Sequence, residues 1–195
     1  MNEDLFSVAH LNVRSLLPKT GDVAELLQSE NFDILCVSET WLSPSIDDAL
    51  VSIDGYCLYR RDRVGRGGGV AIYARNVFAS KSIAFEMRDS CEQVWIDVRI
   101  GSVKCVVGCI YRPPTTNNTT FMDDLEFQLA ELRLRYSMIF CLGDFNINLL
   151  IPDHRDTVNL LSVIQGMNML QIINEPTRVS KTASSKFVGC GCCIR

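Results

Sequence analysis

Met138-Ile139-Phe140-Cys141-Leu142-Gly143-Asp144-Phe145-Asn146 is a short apolar run closed by a glycine, an acid and an amide. Runs of this length, apolar throughout and bounded by polar residues, are what fully buried strands look like. A carboxylate just past the end of such a strand stands at the rim of the sheet, where α/β proteins build their sites. A second run, Asp33-Ile34-Leu35-Cys36-Val37-Ser38-Glu39, ends the same way more than a hundred residues earlier. Two acid-tipped strands, with Asn146 two residues after the second acid, point to a hydrolytic metal site on a sheet-layered fold.

Outward from these runs the chain reads as strands with a few helices. Leu5 to Leu11 is an opening strand, and Thr20 to Asn31 a helix with Thr20 as N-cap and Val23, Leu26 and Leu27 on one face. Strands follow at Tyr56–Arg61, Val70–Ala74, Lys81–Phe85, Gln93–Ile100 and Val103–Tyr111, the last two joined by Gly101-Ser102, a two-residue hairpin signal. After Pro113-Pro114, Asn117 to Thr120 offers N-caps for a helix to about Arg135, with Phe121, Leu125, Leu129 and Leu132 at helical spacing. A helix over Arg155–Gly166 and a short strand over Leu170–Ile173 complete the pattern. Hairpins lie between two α/β portions, which excludes a simple alternating Rossmann fold.

At 195 residues the chain is most simply one domain with a substantial core. It is 47% hydrophobic and 22% charged, and no apolar run approaches the roughly 18–20 residues of a membrane span. The acidic start Met1-Asn2-Glu3-Asp4 lacks the basic opening of a signal peptide. Nine cysteines, six of them scattered through the chain, argue for reduced thiols and an intracellular protein. Cys190, Cys192 and Cys193 crowd a tail without a histidine or second cysteine pair nearby, which is a poor zinc pattern. A net charge of −4 excludes a protein coated in positive charge, but Arg60, Arg61, Arg63 and Arg66 form one local basic run.

Gly65-Arg66-Gly67-Gly68-Gly69 is not a phosphate-binding loop, because no Lys-Ser/Thr follows and a strand, not a helix, comes next. It reads as a flexible hairpin turn whose arginines are available to a polyanion. The stronger chemistry is at Asp144 and Asn146. Mg²⁺ takes one or two carboxylates together with waters and phosphate oxygens. A second acid can then deprotonate the attacking water while an amide fixes its position.

Five segments in order, Leu11-Asn12-Val13-Arg14-Ser15-Leu16, Ser38-Glu39-Thr40-Trp41-Leu42, Arg66-Gly67-Gly68-Gly69-Val70-Ala71, Ile110-Tyr111-Arg112-Pro113-Pro114 and Gly143-Asp144-Phe145-Asn146, resemble the endonuclease/exonuclease/phosphatase superfamily. With Asn174-Glu175-Pro176-Thr177-Arg178 they are most similar to its apurinic-type branch at the N-terminus of non-LTR retrotransposon polyproteins. The resemblance implies a four-layer α/β sandwich, two packed mixed β-sheets flanked by helices, over residues 1–185. It assigns Glu39 to Mg²⁺ (or Mn²⁺), Asn12 to the support of metal and phosphate, and Tyr111 to the scissile phosphate. Asp144 would activate the water and Asn146 orient it. DNA is the implied partner, the nucleus the implied compartment, and Arg60, Arg61, Arg63, Arg66 and Arg112 the candidate nucleic-acid contacts.

The sequence departs from that family after the Pro-Thr-Arg region. The family's Ile-Asp-Leu strand and final Ser-Asp-His do not occur, and Lys186 to Arg195 reads as an unrelated cysteine-rich tail. His10 falls within the first strand as a structural residue, and His154 in a surface loop leading a helix. The expectation is therefore a C-terminally truncated or frame-shifted endonuclease domain, its final strands missing and its activity weak or absent. Two other functions compete with it: a non-catalytic nucleic-acid-binding remnant using the Arg60–Arg66 loop, and a metal-dependent phosphatase of the same superfamily.

Overall fold

The computed structural model describes residues 6–84, 90–173, 177 and 190–193. Among these described residues, ten strands and three α-helices run in the order β1 (Val8–Asn12), α1 (Thr20–Glu30), β2 (Ile34–Ser38), β3 (Tyr56–Arg61), β4 (Val70–Arg75), β5 (Ser80–Ile83), β6 (Glu92–Ile100), β7 (Val103–Tyr111), α2 (Asn118–Arg133), β8 (Met138–Asp144), α3 (Arg155–Gly166), β9 (Leu170–Gln171) and β10 (Cys190–Cys193). They form two mixed sheets among the described residues, one ordered β1-β2-β4-β3 and the other β5-β6-β7-β8-β10-β9.

The period of two along each strand builds the layers. In β2 all five residues are buried, but alternate ones go to different cores. Ile34 and Cys36 join Ile72 of β4, Ile96 of β6 and Val107 of β7 between the sheets. Leu35 and Val37 face the other way, onto Val23 and Leu27 of α1. The outer face of the larger sheet, with Trp95, Val106, Ile110 and Ile139, is covered by Phe121, Leu125 and Leu129 of α2 and Leu160 and Ile164 of α3. Helix, sheet, sheet and helices make four layers. The sandwich expected from the sequence is present.

Cysteine serves this core as a small hydrophobe. Across the sheet interface the Cys36 thiol lies 4.0 Å from the Gly108 carbonyl and the Cys109 thiol 3.5 Å from that of Val37. No helix among the described residues is long and apolar enough to cross a membrane.

Three local expectations are corrected. Thr20 does not cap α1: a 3-10 turn over Leu17–Lys19 runs into the helix, and the Thr20 hydroxyl donates back to the Leu16 and Leu17 carbonyls at 3.3 and 3.1 Å. The turn at 62–69 is not a loose hairpin, because Gly68 and Gly69 accept hydrogen bonds from the backbone of Trp41 and Thr40. Nor is the whole tail outside the fold. Cys190–Cys193 lies antiparallel between β8 and β9, with Gly191 opposite Leu142 and Cys192 opposite Cys141. A strand therefore does occupy the edge expected to be bare, and it satisfies backbone groups of β8 that an open edge would leave unpaired. The segments 174–176 and 178–189, and with them most of the Asn174–Arg178 motif, lie outside the described residues.

Candidate functional site

β1 pairs parallel with β2, and β7 parallel with β8, so the carboxyl ends of strands from both sheets meet along one rim. Asn12 ends β1, Glu39 follows β2, Tyr111 ends β7 and Asp144 ends β8. The Asn12 side-chain amide closes the gap between the sheets. Its Nδ2 donates to Glu39 Oε1 at 2.6 Å and to Asp144 Oδ2 at 2.7 Å. Two like charges thus converge on one neutral donor, an arrangement whose mutual repulsion that donor relieves. The Asn12 Oδ1 is buried with no hydrogen-bond partner.

The backbone around this cluster is strained. Glu39, Trp41 and Asn146 have φ of 55°, 53° and 51°, and Arg14 and Ser15, just past Asn12, have 44° and 78°. Non-glycine residues visit this region rarely, at a cost of order 1–3 kcal/mol each, and such outliers concentrate at functional sites. Neighbouring chain holds them there: Ser15 N–H donates to Glu39 O at 2.9 Å, Leu16 N–H to Thr40 O at 2.8 Å, and Trp41 N–H to Gly68 O at 2.8 Å.

Asp144 is 2% exposed, and its Oδ1 accepts from the Asn146 backbone N–H at 3.1 Å. The Asn146 side chain donates its Nδ2 to the Arg112 carbonyl at 2.7 Å, so its free end for a water is the amide oxygen. Tyr111 is buried under the Arg63 guanidinium, 5.6 Å from the ring centroid. Burial first, then the Glu39 charge, pushes the Tyr111 hydroxyl above its ordinary range; the nearby Asp144 charge adds to the shift. The phenol is therefore a proton donor at neutral pH.

The five arginines expected at nucleic acid are placed differently from one another. Arg60 bonds Asp48 at 2.7 Å and the Ile46 carbonyl. Arg63 makes a two-pronged pair with Glu92 at 2.7 and 2.9 Å. Arg61 is partly buried, and Arg66 is exposed. Arg112 turns inward: it is 3% exposed and donates to the carbonyls of Phe145 at 2.6 Å, Thr116 at 2.9 Å and Asn146 at 2.9 Å. It braces the loop that carries Asn146, and we correct the expectation of a nucleic-acid contact there. Arg112→Leu should lower stability by about 3 kcal/mol in urea unfolding, because one buried and two partly buried carbonyls lose a charged donor. Arg112→Lys should not restore it, since an ammonium cannot reach three acceptors as a planar fork does.

His10, expected as a structural residue of the first strand, pairs with Ser38, to which the sequence assigned no role. His10 Nε2 is 3.1 Å from Ser38 Oγ, and burial lowers the imidazole to about 4, so it is neutral at physiological pH. His154 caps α3, its Nδ1 accepting from Asp156 N–H at 3.3 Å. The sequence signal for the first pair is the even spacing of His10 and Asn12 on one strand face.

A two-sheet sandwich whose facing strand ends bring together acids, amides and a tyrosine is the layout of a phosphoester hydrolase. The chain belongs to the Endonuclease/Exonuclease/phosphatase family, whose model matches residues 9–190. The fold is shared with the endonuclease domain of TRAS1, a telomere-specific non-LTR retrotransposon, at 11% identity and a TM-score of 0.76 over 98% of this chain and 86% of that one. An AP endonuclease from Archaeoglobus fulgidus is similar at 18% identity and a TM-score of 0.71, covering 97% and 86%. So is the 3′ phosphatase NExo from Neisseria, bound to a product DNA hairpin, at 16% identity and 0.71, covering 97% and 87%. No curated protein sequence is significantly similar to the chain.

Proposed function

We propose that the chain is a Mg²⁺- or Mn²⁺-dependent phosphodiesterase acting on DNA, with a low rate. The observation that carries this reading is the single Asn12 amide joined to both Glu39 and Asp144. The donor set suits a hard divalent cation: two carboxylates and the orphaned Asn12 Oδ1, all oxygen. No group of three His, Cys, Asp or Glu side chains that could hold a metal occurs among the described residues, so binding should be weak. A bound cation would draw negative charge from the scissile phosphate.

The remaining steps fall to the chain's own residues. Asp144, fixed by Asn12 and by the Asn146 N–H, accepts the proton of the attacking water. The Asn146 amide oxygen orients that water, and the Tyr111 hydroxyl donates to a phosphate oxygen. Neither histidine stands at the cluster, since His10 bonds Ser38 and His154 caps α3. Neither of these two imidazoles is then placed to stabilise the transition state, which is the reason for a low rate. DNA is favoured as substrate by the likeness to the retrotransposon and AP endonucleases. A phosphomonoesterase is the second reading, favoured by the same sandwich in a Bacteroides thetaiotaomicron mannosyl-6-phosphatase at 13% identity and a TM-score of 0.68.

Calorimetric titration with Mn²⁺ tests the metal assignment. Glu39→Gln should weaken binding by about tenfold or more, as losses around metal sites do. Equal binding by the two proteins would remove Glu39 from the site.

A further inference from the structure

Trp41 is 48% exposed, immediately beyond the strained Glu39 turn. Large aromatics belong inside, and this one is held out by its own backbone: φ is 53° and its N–H is pinned to the Gly68 carbonyl at 2.8 Å. The turn beside it is three glycines, Gly67, Gly68 and Gly69, with φ of 78°, 67° and 82°. A Cβ on Gly67 would come 3.9 Å from the indole Nε1, one on Gly68 would strike the Arg63 guanidinium at 2.5 Å, and one on Gly69 the Thr40 hydroxyl at 2.4 Å. Of the three, Gly67 alone borders the indole, where its bare backbone leaves the ring edge uncovered, while Gly68 and Gly69 fit against Arg63 and Thr40. The exposed Arg66 precedes Gly67 in the same turn.

An exposed ring on a rigid mount, flanked by bare backbone and a cation, is how proteins present a stacking surface to a nucleobase. Stacking is sequence-tolerant because every base offers a π-face, and arginine adds charge for the adjoining phosphate. We infer that Trp41 and the Gly67–Gly69 turn form a shelf for one unpaired or flipped base of the strand whose phosphate lies at Asn12, Glu39 and Asp144. Arg66 faces the neighbouring phosphate. This rests on the DNA reading above and adds to it a grip on the base, which a small phosphoester lacks.

The chain carries two tryptophans, and the other, Trp95, is 1% exposed with its indole N–H bonded to Gln93 at 2.7 Å. Intrinsic fluorescence therefore reports solvent access at Trp41. A short single-stranded oligonucleotide, added without divalent metal, should quench that signal, and an abasic oligonucleotide of the same length should not. Trp41→Gly should bind the oligonucleotide about tenfold more weakly, within the range of one lost stack, and Trp41→Phe should retain most of the affinity. In thermal unfolding Trp41→Gly should be at least as stable as the wild type, because glycine adopts positive φ without strain. Weaker binding by a protein at least as stable is a result that a merely structural tryptophan would not give. Unchanged affinity in Trp41→Gly, or equal quenching by the abasic strand, overturns the shelf and leaves the phosphodiesterase reading standing. If the wild type binds neither strand, the DNA reading falls and the shelf with it.

Discussion

Asp144→Asn should lower metal-dependent nicking of supercoiled plasmid by about 10²–10⁴-fold, the usual contribution of a positioned acid–base group. The carboxylate is held by hydrogen bonds that include one from the Asn12 side chain at 2.7 Å and one from the Asn146 backbone at 3.1 Å. An amide of the same shape keeps the second by presenting its oxygen. It then turns its NH₂ toward the Asn12 NH₂, two donors facing each other, and it cannot accept a proton from water. The substitution therefore removes a base, a cation ligand and one hydrogen bond together. Plasmid nicking suits a slow enzyme because a single cut per molecule changes its topology. A urea unfolding curve for the variant separates lost chemistry from lost fold, since one missing hydrogen bond costs only about 1–3 kcal/mol. Unaltered nicking by folded Asp144→Asn would end the assignment of Asp144 as the base.

The acids at the strand ends were legible because burial and chemistry leave separate marks. An apolar run announces a buried strand, and an acid just after it has nowhere to go but the rim. The convergence of Asn12, Glu39 and Asp144 is a different kind of fact. It needs β1 and β8, in different sheets, to face each other, and no local pattern encodes that pairing. The two acid-tipped strands suggested a shared site for Glu39 and Asp144, and only the resemblance to a family added Asn12 to them in advance. Arg112 shows the opposite failure. In sequence it is one more arginine beside Tyr111, and its inward course depends on carbonyls of residues 116, 145 and 146 that the fold delivers. Thr20 looked like a cap because threonine favours caps, but Leu17–Lys19 had already begun to coil. Cys190–Cys193 has no strand signature of its own. Its pairing follows from the exposed edge of β8, as strand formation often follows context over propensity.

Gly143→Ala should be the most damaging single-methyl change in the site. An added Cβ would lie 1.8 Å from the Ile110 carbonyl oxygen and 2.7 and 2.9 Å from the Ile110 carbonyl carbon and nitrogen. All three are backbone atoms of β7, which no rotamer change can move. Gly143 also has a φ of 153°, a conformation that side chains rarely adopt. Relief requires β8 to bow away from β7, where Ile110 pairs with Gly143 and Tyr111 with Asp144. The expected loss is more than about 4 kcal/mol, beyond what ordinary substitutions cost, against a total stability of about 5–15 kcal/mol. Gly166→Ala is the matched control, at the last residue of α3 with nothing within 4 Å of the new methyl. It should be neutral or stabilising by up to about 1 kcal/mol. Chemical denaturation of the pair measures the contrast, and similar midpoints would show that β7 and β8 are not packed as tightly as the backbone distances require. The same glycine brings Asp144 against Tyr111. A variant that survives folding should therefore still lose cleavage, because the strand that bows away carries the acid with it.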